Sequence, residues 1–193
     1  MRSDEGTPLS SVYPAFTDVT NLTYSRHDNP ELFNCDVVFL ATPHTVAMKS
    51  APGLLEAGVT VVDLSADYRL RDRATYEQWY KVEHTSPELL ATFGLPELNR
   101  QALADAAARH AQGEAILVAC AGCYPTATSL AVAPVIELSQ GIVVADAISG
   151  VSGAVPPPAE KAGGEDSCGY AVYLYWPDAV FDGRERGLYA CRQ

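Results

Sequence analysis

The sequence contains no long hydrophobic segment and no concentration of positive charge. No apolar run approaches the roughly 18 residues needed to span a membrane, and residues 1–6 contain no apolar segment typical of a signal peptide. Lysine and arginine together number 13, against 24 aspartate and glutamate residues, which gives a net charge of −11 with no basic cluster. These absences argue against a membrane or a nucleic acid as the main partner.

Cysteine is also sparse, with five residues at irregular spacing. Few thiols and no export signal predict reduced cysteines and a cytoplasmic location. Hydrophobic residues make up 48% of the chain, an ordinary fraction for a globular protein that buries a core. The chain is therefore long and apolar enough for one large domain, or for one domain and part of another.

Buried strands alternate with helical segments in the middle of the chain. Continuous apolar runs at 36–41, 59–64, 115–119 and 142–148 predict strands, of which the first two have the composition of strands buried on both faces. Helical patterns occupy 46–57, 72–81, 98–110 and 124–138, and Pro134 should shorten the last one. This alternation predicts an α/β fold with a parallel sheet and right-handed crossovers.

Cys123 stands between the third strand and the helix that follows it. A thiol at a helix N-terminus, on the carboxyl edge of a sheet, lies where backbone amides and the helix dipole favour the nucleophilic thiolate. Gly122 would let a substrate or another part of the backbone approach closely. A lone cysteine is more often a small buried hydrophobe, and the pair Cys120 and Cys123 also forms a CxxC, so redox and metal interpretations stay open.

Ligands of open parallel sheets bind beyond the carboxyl ends of the strands. Polar or turn-forming residues follow all four predicted strands, and they would gather at one edge if the strands shared one parallel sheet. The fourth strand could instead belong to another domain. Besides Cys123, the candidates are Thr42, Pro43, His44, Ser65, Asp67, Arg69, Ser149 and Gly150.

Four phrases in the chain resemble the N-acetyl-γ-glutamyl-phosphate reductase family. They are 62–70 (VDLSADYRL), 94–100 (GLPELNR), 122–126 (GCYPT) and 149–154 (SGVSGA), and the resemblance extends over about residues 2–154. It implies an NADP-dependent enzyme of arginine biosynthesis that reduces N-acetylglutamyl phosphate to the semialdehyde. The same resemblance implies a homo-oligomer for the complete protein.

The resemblance also implies roles for individual residues. Cys123 would attack the acyl phosphate carbon, release phosphate and form a thioacyl enzyme. Cofactor-binding positions would be Arg2, Ser3, Thr42, Pro43, His44, Ser149 and Gly150. Ser65, Asp67 and Arg69 are candidates for binding the anionic small-molecule substrate, although Asp67 and Arg69 could equally form a structural ion pair.

The chain departs from this family in three places. It begins after the family's first strand and glycine-rich turn, contains no later histidine phrase for a general acid or base, and changes character at Val155, where three prolines follow. We therefore expect an incomplete copy: a partial Rossmann-like doubly wound sheet lacking its first strand, then the start of an α+β catalytic and dimerisation domain. The expected divisions are 1–120, 121–154 and a divergent tail, 155–193, whose folding the sequence leaves open.

Three functions remain in view at this point. The first is the reductase reaction, with the competence of this chain open. The second is a non-catalytic remnant, or an oligomerisation partner of an intact reductase, which should not bind NADPH. The third and weaker one is a CxxC redox protein with a reversible Cys120–Cys123 disulfide.

Overall fold

A computed structural model describes residues 5–138, 143–149 and 169–175 of the chain. A four-stranded sheet lies at the centre of the first of these ranges, with strand order β1-β2-β4-β3 and every neighbouring pair parallel. This is the predicted α/β architecture, and the sheet is Rossmann-like. Its strands are β1 (Val37–Leu40), β2 (Thr60–Asp63), β3 (Thr92–Gly94) and β4 (Leu117–Cys120).

Helices connect these strands much as the sequence predicts. Gly58, with a φ of 87°, follows the second helix in the left-handed region that favours glycine. The side chain of Asp72 accepts a hydrogen bond from the Thr75 amide and so caps the third helix. The helices are α1 (Leu9–Val12), α2 (Ala47–Glu56), α3 (Arg73–Tyr80), α4 (Pro96–Ala111) and α5 (Cys123–Val132), and short 3-10 turns occupy Pro14–Phe16, Pro30–Asn34 and Ile136–Leu138.

The core lies on one face of the sheet. Val38, Val61 and Leu117 are in register on three neighbouring strands, and all are buried against the apolar side of α2. The other face is less covered, and Phe39 on β1 is 69% exposed. The expectation that the first strand is buried on both faces is therefore wrong for the described residues, because β1 is an edge strand with no described element over Phe39.

Two strands escaped the sequence-based prediction, and the fourth predicted strand lies outside the parallel sheet, as one of its two alternatives allowed. β3 has only three residues and follows a loop, so no periodicity marks it. The fourth predicted strand, β5 (Val143–Ser149), does not extend the parallel sheet but pairs antiparallel with β6 (Gly169–Tyr175). Residues 169–175 of the expected tail thus form a strand, and the domain divisions at 120 and 154 stay predictions.

The helix after Cys123 is shorter than the pattern 124–138 suggested. α5 ends at Val132, and a 3-10 turn at Ile136–Leu138 follows Pro134. A proline inside a helix lacks the amide that would continue the hydrogen-bond ladder. The shortening that Pro134 predicts is confirmed.

Candidate active site

The carboxyl ends of β1, β2 and β4 lie side by side in the sheet. Because these strands are parallel and adjacent, the segments that follow them meet at one edge. Those segments contain Thr42 to His44, Ser65 to Arg69, and Cys123. The structure therefore brings together three of the four predicted groups of candidate residues, while the fourth group begins at Ser149, the last residue of the antiparallel strand β5.

Cys123 is the first residue of α5, and Gly122 is its N-cap. The ladder of the helix starts at Gly122, whose carbonyl accepts the Thr126 amide at 2.9 Å. Amides in the first turn of a helix have no partner within the helix, and the helix dipole there is positive. The thiol is free and exposed. The predicted placement of a thiol at a helix N-terminus is confirmed.

Arg69 connects the ends of two neighbouring strands. Its Nε donates to the carbonyl of Cys120 at 2.7 Å, and its Nη2 donates to the carbonyl of Leu64 at 2.7 Å. Cys120 ends β4, and Leu64 directly follows β2. The guanidinium thus joins the backbone just before the loop of Cys123 to the backbone after the neighbouring strand β2, a contact that the sequence could not predict.

Asp67 is fully buried and accepts hydrogen bonds at both carboxylate oxygens. Oδ1 accepts the Thr45 amide at 2.8 Å and the Tyr76 hydroxyl at 3.1 Å, and Oδ2 accepts the Met48 amide at 3.1 Å. Thr45 has a φ of 74°, an uncommon conformation for a β-branched residue. Asp67 therefore holds the loop after β1 in a strained conformation and fixes the first turn of α2.

The proline inside α2 explains why two hydroxyl groups contact the backbone of this helix. Pro52 lies inside the helix and has no amide to donate to the Met48 carbonyl four residues earlier. Two hydroxyls replace the missing donor, since Ser86 Oγ donates to that carbonyl at 2.8 Å and Thr85 Oγ1 at 3.2 Å. The Tyr68 hydroxyl contacts Ser86 Oγ at 2.6 Å, and burial raises the pKa of Tyr68 to about 12. The segment around Ser86 is thereby anchored to α2.

His84 completes this network beneath the loop. Its Nε2 lies 2.8 Å from the Asp67 carbonyl, and its Nδ1 accepts the Ser86 amide at 3.2 Å. The Nδ1 acceptor role places the hydrogen of the neutral ring on Nε2, which donates to Asp67. The ring also makes edge contacts with Tyr68 and Tyr76. No pattern in the sequence singled out His84, because its partners are distant in the chain.

Ser65 is buried together with Asp63. The Ser65 amide donates to Asp63 Oδ1 at 2.8 Å, and its hydroxyl donates to Asp63 Oδ2 at 3.0 Å. Burial raises the pKa of Asp63, and the two hydrogen bonds from Ser65 oppose that rise. Ser65 Oγ also accepts the Asp67 amide at 3.2 Å. In the described structure Ser65 and Asp67 face protein groups, so the substrate-binding roles predicted for them stay predictions.

The loop after β1 presents two polar groups. The hydroxyl of Thr42 is buried, and it has no hydrogen-bond partner within the part of the chain that the structure describes. His44 is exposed, its Nδ1 accepts the Ala66 amide at 3.1 Å, and its ring lies 5.7 Å from that of Tyr80. Pro43 between them is exposed. An orphaned buried hydroxyl is costly unless a bound group completes its hydrogen bonds.

Three predicted cofactor residues cannot be placed. Arg2, Ser3 and Gly150 lie outside the described residues, and for Ser149 the structure describes only the backbone at the end of β5. Their predicted roles remain predictions.

The CxxC is divided between two elements. Cys120 is the last residue of β4 and Cys123 the first of α5, and both thiols are free. Burial raises the pKa of Cys120, which favours its neutral thiol. Within the described ranges, no three side chains of His, Cys, Asp or Glu are grouped to hold a metal ion, and no helix there is long and apolar enough to cross a membrane.

The parallel sheet, with the candidate residues at its carboxyl edge, has the architecture of the Rossmann-like nucleotide-binding class of domains. The sequence profile described as the NAD binding domain of semialdehyde dehydrogenase matches residues 1–106, more than half of the chain. The chain belongs to this family.

Curated relatives identify a narrower likeness. The chain is 48% identical over 158 residues to a protein of Halorhodospira halophila, 46% identical over 158 residues to one of Herminiimonas arsenicoxydans, and 46% identical over 159 residues to one of Neisseria gonorrhoeae. All three are named N-acetyl-gamma-glutamyl-phosphate reductase, which confirms the resemblance inferred from the four phrases. Each match covers 79% of this chain and 43% of the relative, so the chain spans less than half the length of these relatives.

Proposed function

We propose that this chain carries the nucleotide-binding sheet and the nucleophile of an N-acetyl-γ-glutamyl-phosphate reductase. The reaction is the NADPH-dependent reduction of N-acetyl-L-glutamyl 5-phosphate to N-acetyl-L-glutamate 5-semialdehyde, with release of phosphate, in arginine biosynthesis. The observation that carries the proposal is the exposed thiol of Cys123 at the first position of α5. The names of the similar proteins support the choice of substrate.

The catalytic residue in this proposal is Cys123. Its thiolate attacks the carbonyl carbon of the acyl phosphate and forms the carbon–sulfur bond. The bond between that carbon and the bridging oxygen breaks, and phosphate leaves with the oxygen and the electron pair. The product of this step is a thioester on Cys123. The positive end of the α5 dipole lies at Cys123 and would favour an anionic leaving group beside the thiol.

The cofactor would bind at the carboxyl edge beside β1. The buried Thr42 hydroxyl without a described partner fits a bound polar group there, because it can donate one hydrogen bond and accept others. Bound NADPH would supply the hydride that converts the thioester to the aldehyde and frees the thiolate. Pro43, His44, Ser149 and Gly150 would line the cofactor, and Arg2 with Ser3 would select NADP by contacting its 2′-phosphate.

The direct test is the reverse reaction in the protein that contains this chain. We expect phosphate-dependent reduction of NADP⁺ with the semialdehyde, lost in Cys123→Ala and retained in Cys35→Ala, which removes another exposed free thiol. Full activity in Cys123→Ala would refute the nucleophile.

A second measurement separates a competent chain from a non-catalytic remnant. NADPH titrated into the 193-residue chain should bind with micromolar affinity, more tightly than NADH, if the sheet is competent. No detectable binding of either nucleotide would instead favour the remnant.

Two further properties belong to the same proposal. The free state of Cys35, Cys120 and Cys123 is consistent with a reducing, cytoplasmic compartment. The resemblance implies a homo-oligomer for the complete protein, and light scattering during size-exclusion chromatography would give its mass. A monomer at all concentrations would contradict that part.

A further inference from the structure

Arg69 makes two short, charge-assisted hydrogen bonds to the backbone at the edge of the sheet. Both are 2.7 Å long, one to the carbonyl of Cys120 and one to the carbonyl of Leu64. The first carbonyl belongs to the last residue of β4 and the second to the residue directly after β2, and the two strands are neighbours in the sheet. Charge-assisted hydrogen bonds are stronger than neutral ones, and the planar guanidinium fixes their geometry. The chain between β4 and Cys123 therefore starts from a backbone position that Arg69 fixes.

Gly122 provides a second, independent sign of this arrangement. A Cβ added to Gly122 would lie 2.9 Å from Nη1 of Arg69 and 3.4 Å from its Cζ. The φ and ψ of Gly122 are −73° and 167°, a conformation that any residue can adopt. A side chain at position 122 would therefore have to displace the Arg69 guanidinium, and the backbone conformation itself would not resist the substitution.

We propose that Arg69 is a positioning residue for Cys123. The guanidinium joins the end of β4 to the backbone after β2 and packs against Gly122, the N-cap of α5. These contacts fix the position of Cys123, the first residue of the helix, and so the position of its thiol. This role differs from the substrate contact that the sequence suggested for Arg69. That the position of the thiol matters for catalysis rests on the proposed function. That Arg69 fixes this position does not rest on it.

The first test compares Arg69→Met with Arg73→Met in the 193-residue chain. Arg73 is a matched control, since it also makes two side-chain hydrogen bonds, to Glu77 and Glu83, on the exposed side of α3. The rate of Cys123 alkylation by iodoacetamide is measured by mass spectrometry, with the sites localised by fragmentation, alongside hydrogen exchange of the amides at 121–126.

We expect Arg69→Met to lower the Cys123 alkylation rate about threefold or more and to accelerate exchange at 121–126. Cys35 should keep its rate and Cys120 should stay slow, whereas general destabilisation would expose Cys120 as well. Arg69→Lys should recover only part of the rate, because lysine lacks the fork that reaches both carbonyls. An unchanged Cys123 rate and unchanged local exchange in Arg69→Met would overturn the proposal.

The second test couples Gly122 to Arg69. Gly122→Ala should displace the guanidinium and lower the Cys123 rate in the otherwise unchanged chain, but add little in the Arg69→Met background. Additive effects, or no effect of Gly122→Ala alone, would contradict the proposal. Should Arg69→Met fail to fold, Gly122→Ala and Arg69→Lys still decide the matter through the same rates.

These measurements contain neither substrate nor nucleotide. A failed reductase assay would therefore leave the positioning result standing, and a failed positioning test would leave the reductase assay of Cys123→Ala to be judged on its own.

Discussion

The loop after β2 and the loop after β4 end at the same edge of the sheet, yet they differ in exposure and in the partners of their side chains. In the first, Asp67 is completely buried and both of its oxygens accept hydrogen bonds from protein groups. In the second, Cys123 is exposed at the start of a helix. The comparison teaches that an ionisable side chain after a strand can either hold a neighbouring loop or stay accessible to solvent. Burial and partners separate the two roles.

The largest effect is expected where the buried loop loses its anchor. Asp67→Ala removes the acceptor of the Thr45 amide, the Met48 amide and the Tyr76 hydroxyl, and should lower the free energy of unfolding by roughly 3 kcal/mol or more. Asp67→Asn should be nearly as harmful, because its NH₂ group would face a donor. Urea denaturation measures both, with the exposed Asp105→Ala as a control expected within about 0.5 kcal/mol. A loss of less than about 1 kcal/mol in Asp67→Ala would show that Asp67 does not anchor the loop, and would contradict the contrast between the two loops.

Alkaline pH should weaken the same buried network through Tyr68. An unfolded tyrosine ionises near pH 10, whereas burial holds the pKa of folded Tyr68 at about 12. The unfolded state therefore binds fewer protons between these values, and stability falls as pH rises from about 10 towards 12. Tyr68→Phe should be less stable at neutral pH, and its deficit should shrink above pH 10. A deficit that stays constant from pH 8 to pH 11.5 in denaturation curves would contradict this origin.

A smaller effect should reveal how Pro52 and Ser86 depend on each other. Ser86→Ala leaves the Met48 carbonyl with only the longer bond from Thr85, and should cost about 1–2 kcal/mol. In a Pro52→Ala background the residue at 52 regains an amide that can reach this carbonyl, so Ser86→Ala should cost less. Thermal unfolding of the unsubstituted chain, the two single variants and the double variant gives the coupling energy. An equal loss of stability from Ser86→Ala in both backgrounds would show that Ser86 does not replace the donor that Pro52 lacks.

The smallest stability effect is expected in the open loop. Cys123→Ser changes one exposed atom and should alter the free energy of unfolding by less than about 0.5 kcal/mol. Under the proposed function, the same change should abolish reductase activity. A large loss of stability would mean that Cys123, like Asp67, is part of the packing.

Much of this architecture could be predicted from hydrophobic runs and helix signals. The strands β1, β2 and β4, the helices around them and the position of Cys123 follow from short-range patterns in the sequence. β3 was missed because three residues give too little periodicity. β5 was found, but an apolar run does not reveal which sheet its strand joins, so the sequence left both alternatives open. The antiparallel strand β6 was missed because it follows a segment rich in proline and glycine, which indicates loops rather than strands.

The location of the candidate site could be predicted from the sequence, but the contacts of its individual side chains could not. The order of parallel strands is enough to bring Thr42, Asp67 and Cys123 to one edge. The partners of His84, the close approach of Arg69 to Gly122, and the replacement of the missing Pro52 donor by Ser86 all join residues far apart in sequence. Such contacts depend on tertiary packing, so no local sequence pattern could predict them.

The most direct test of the central claim is to trap the acyl group on the chain. The 193-residue protein is incubated with N-acetyl-γ-glutamyl phosphate without nucleotide, and the modified residue is located by mass spectrometry, with Cys123→Ser as the control. We predict one N-acetylglutamyl thioester, on Cys123 alone, and no adduct in the variant. An acyl group on Cys35 or Cys120, or no acyl group on the folded protein, would contradict the assignment of Cys123 as the nucleophile.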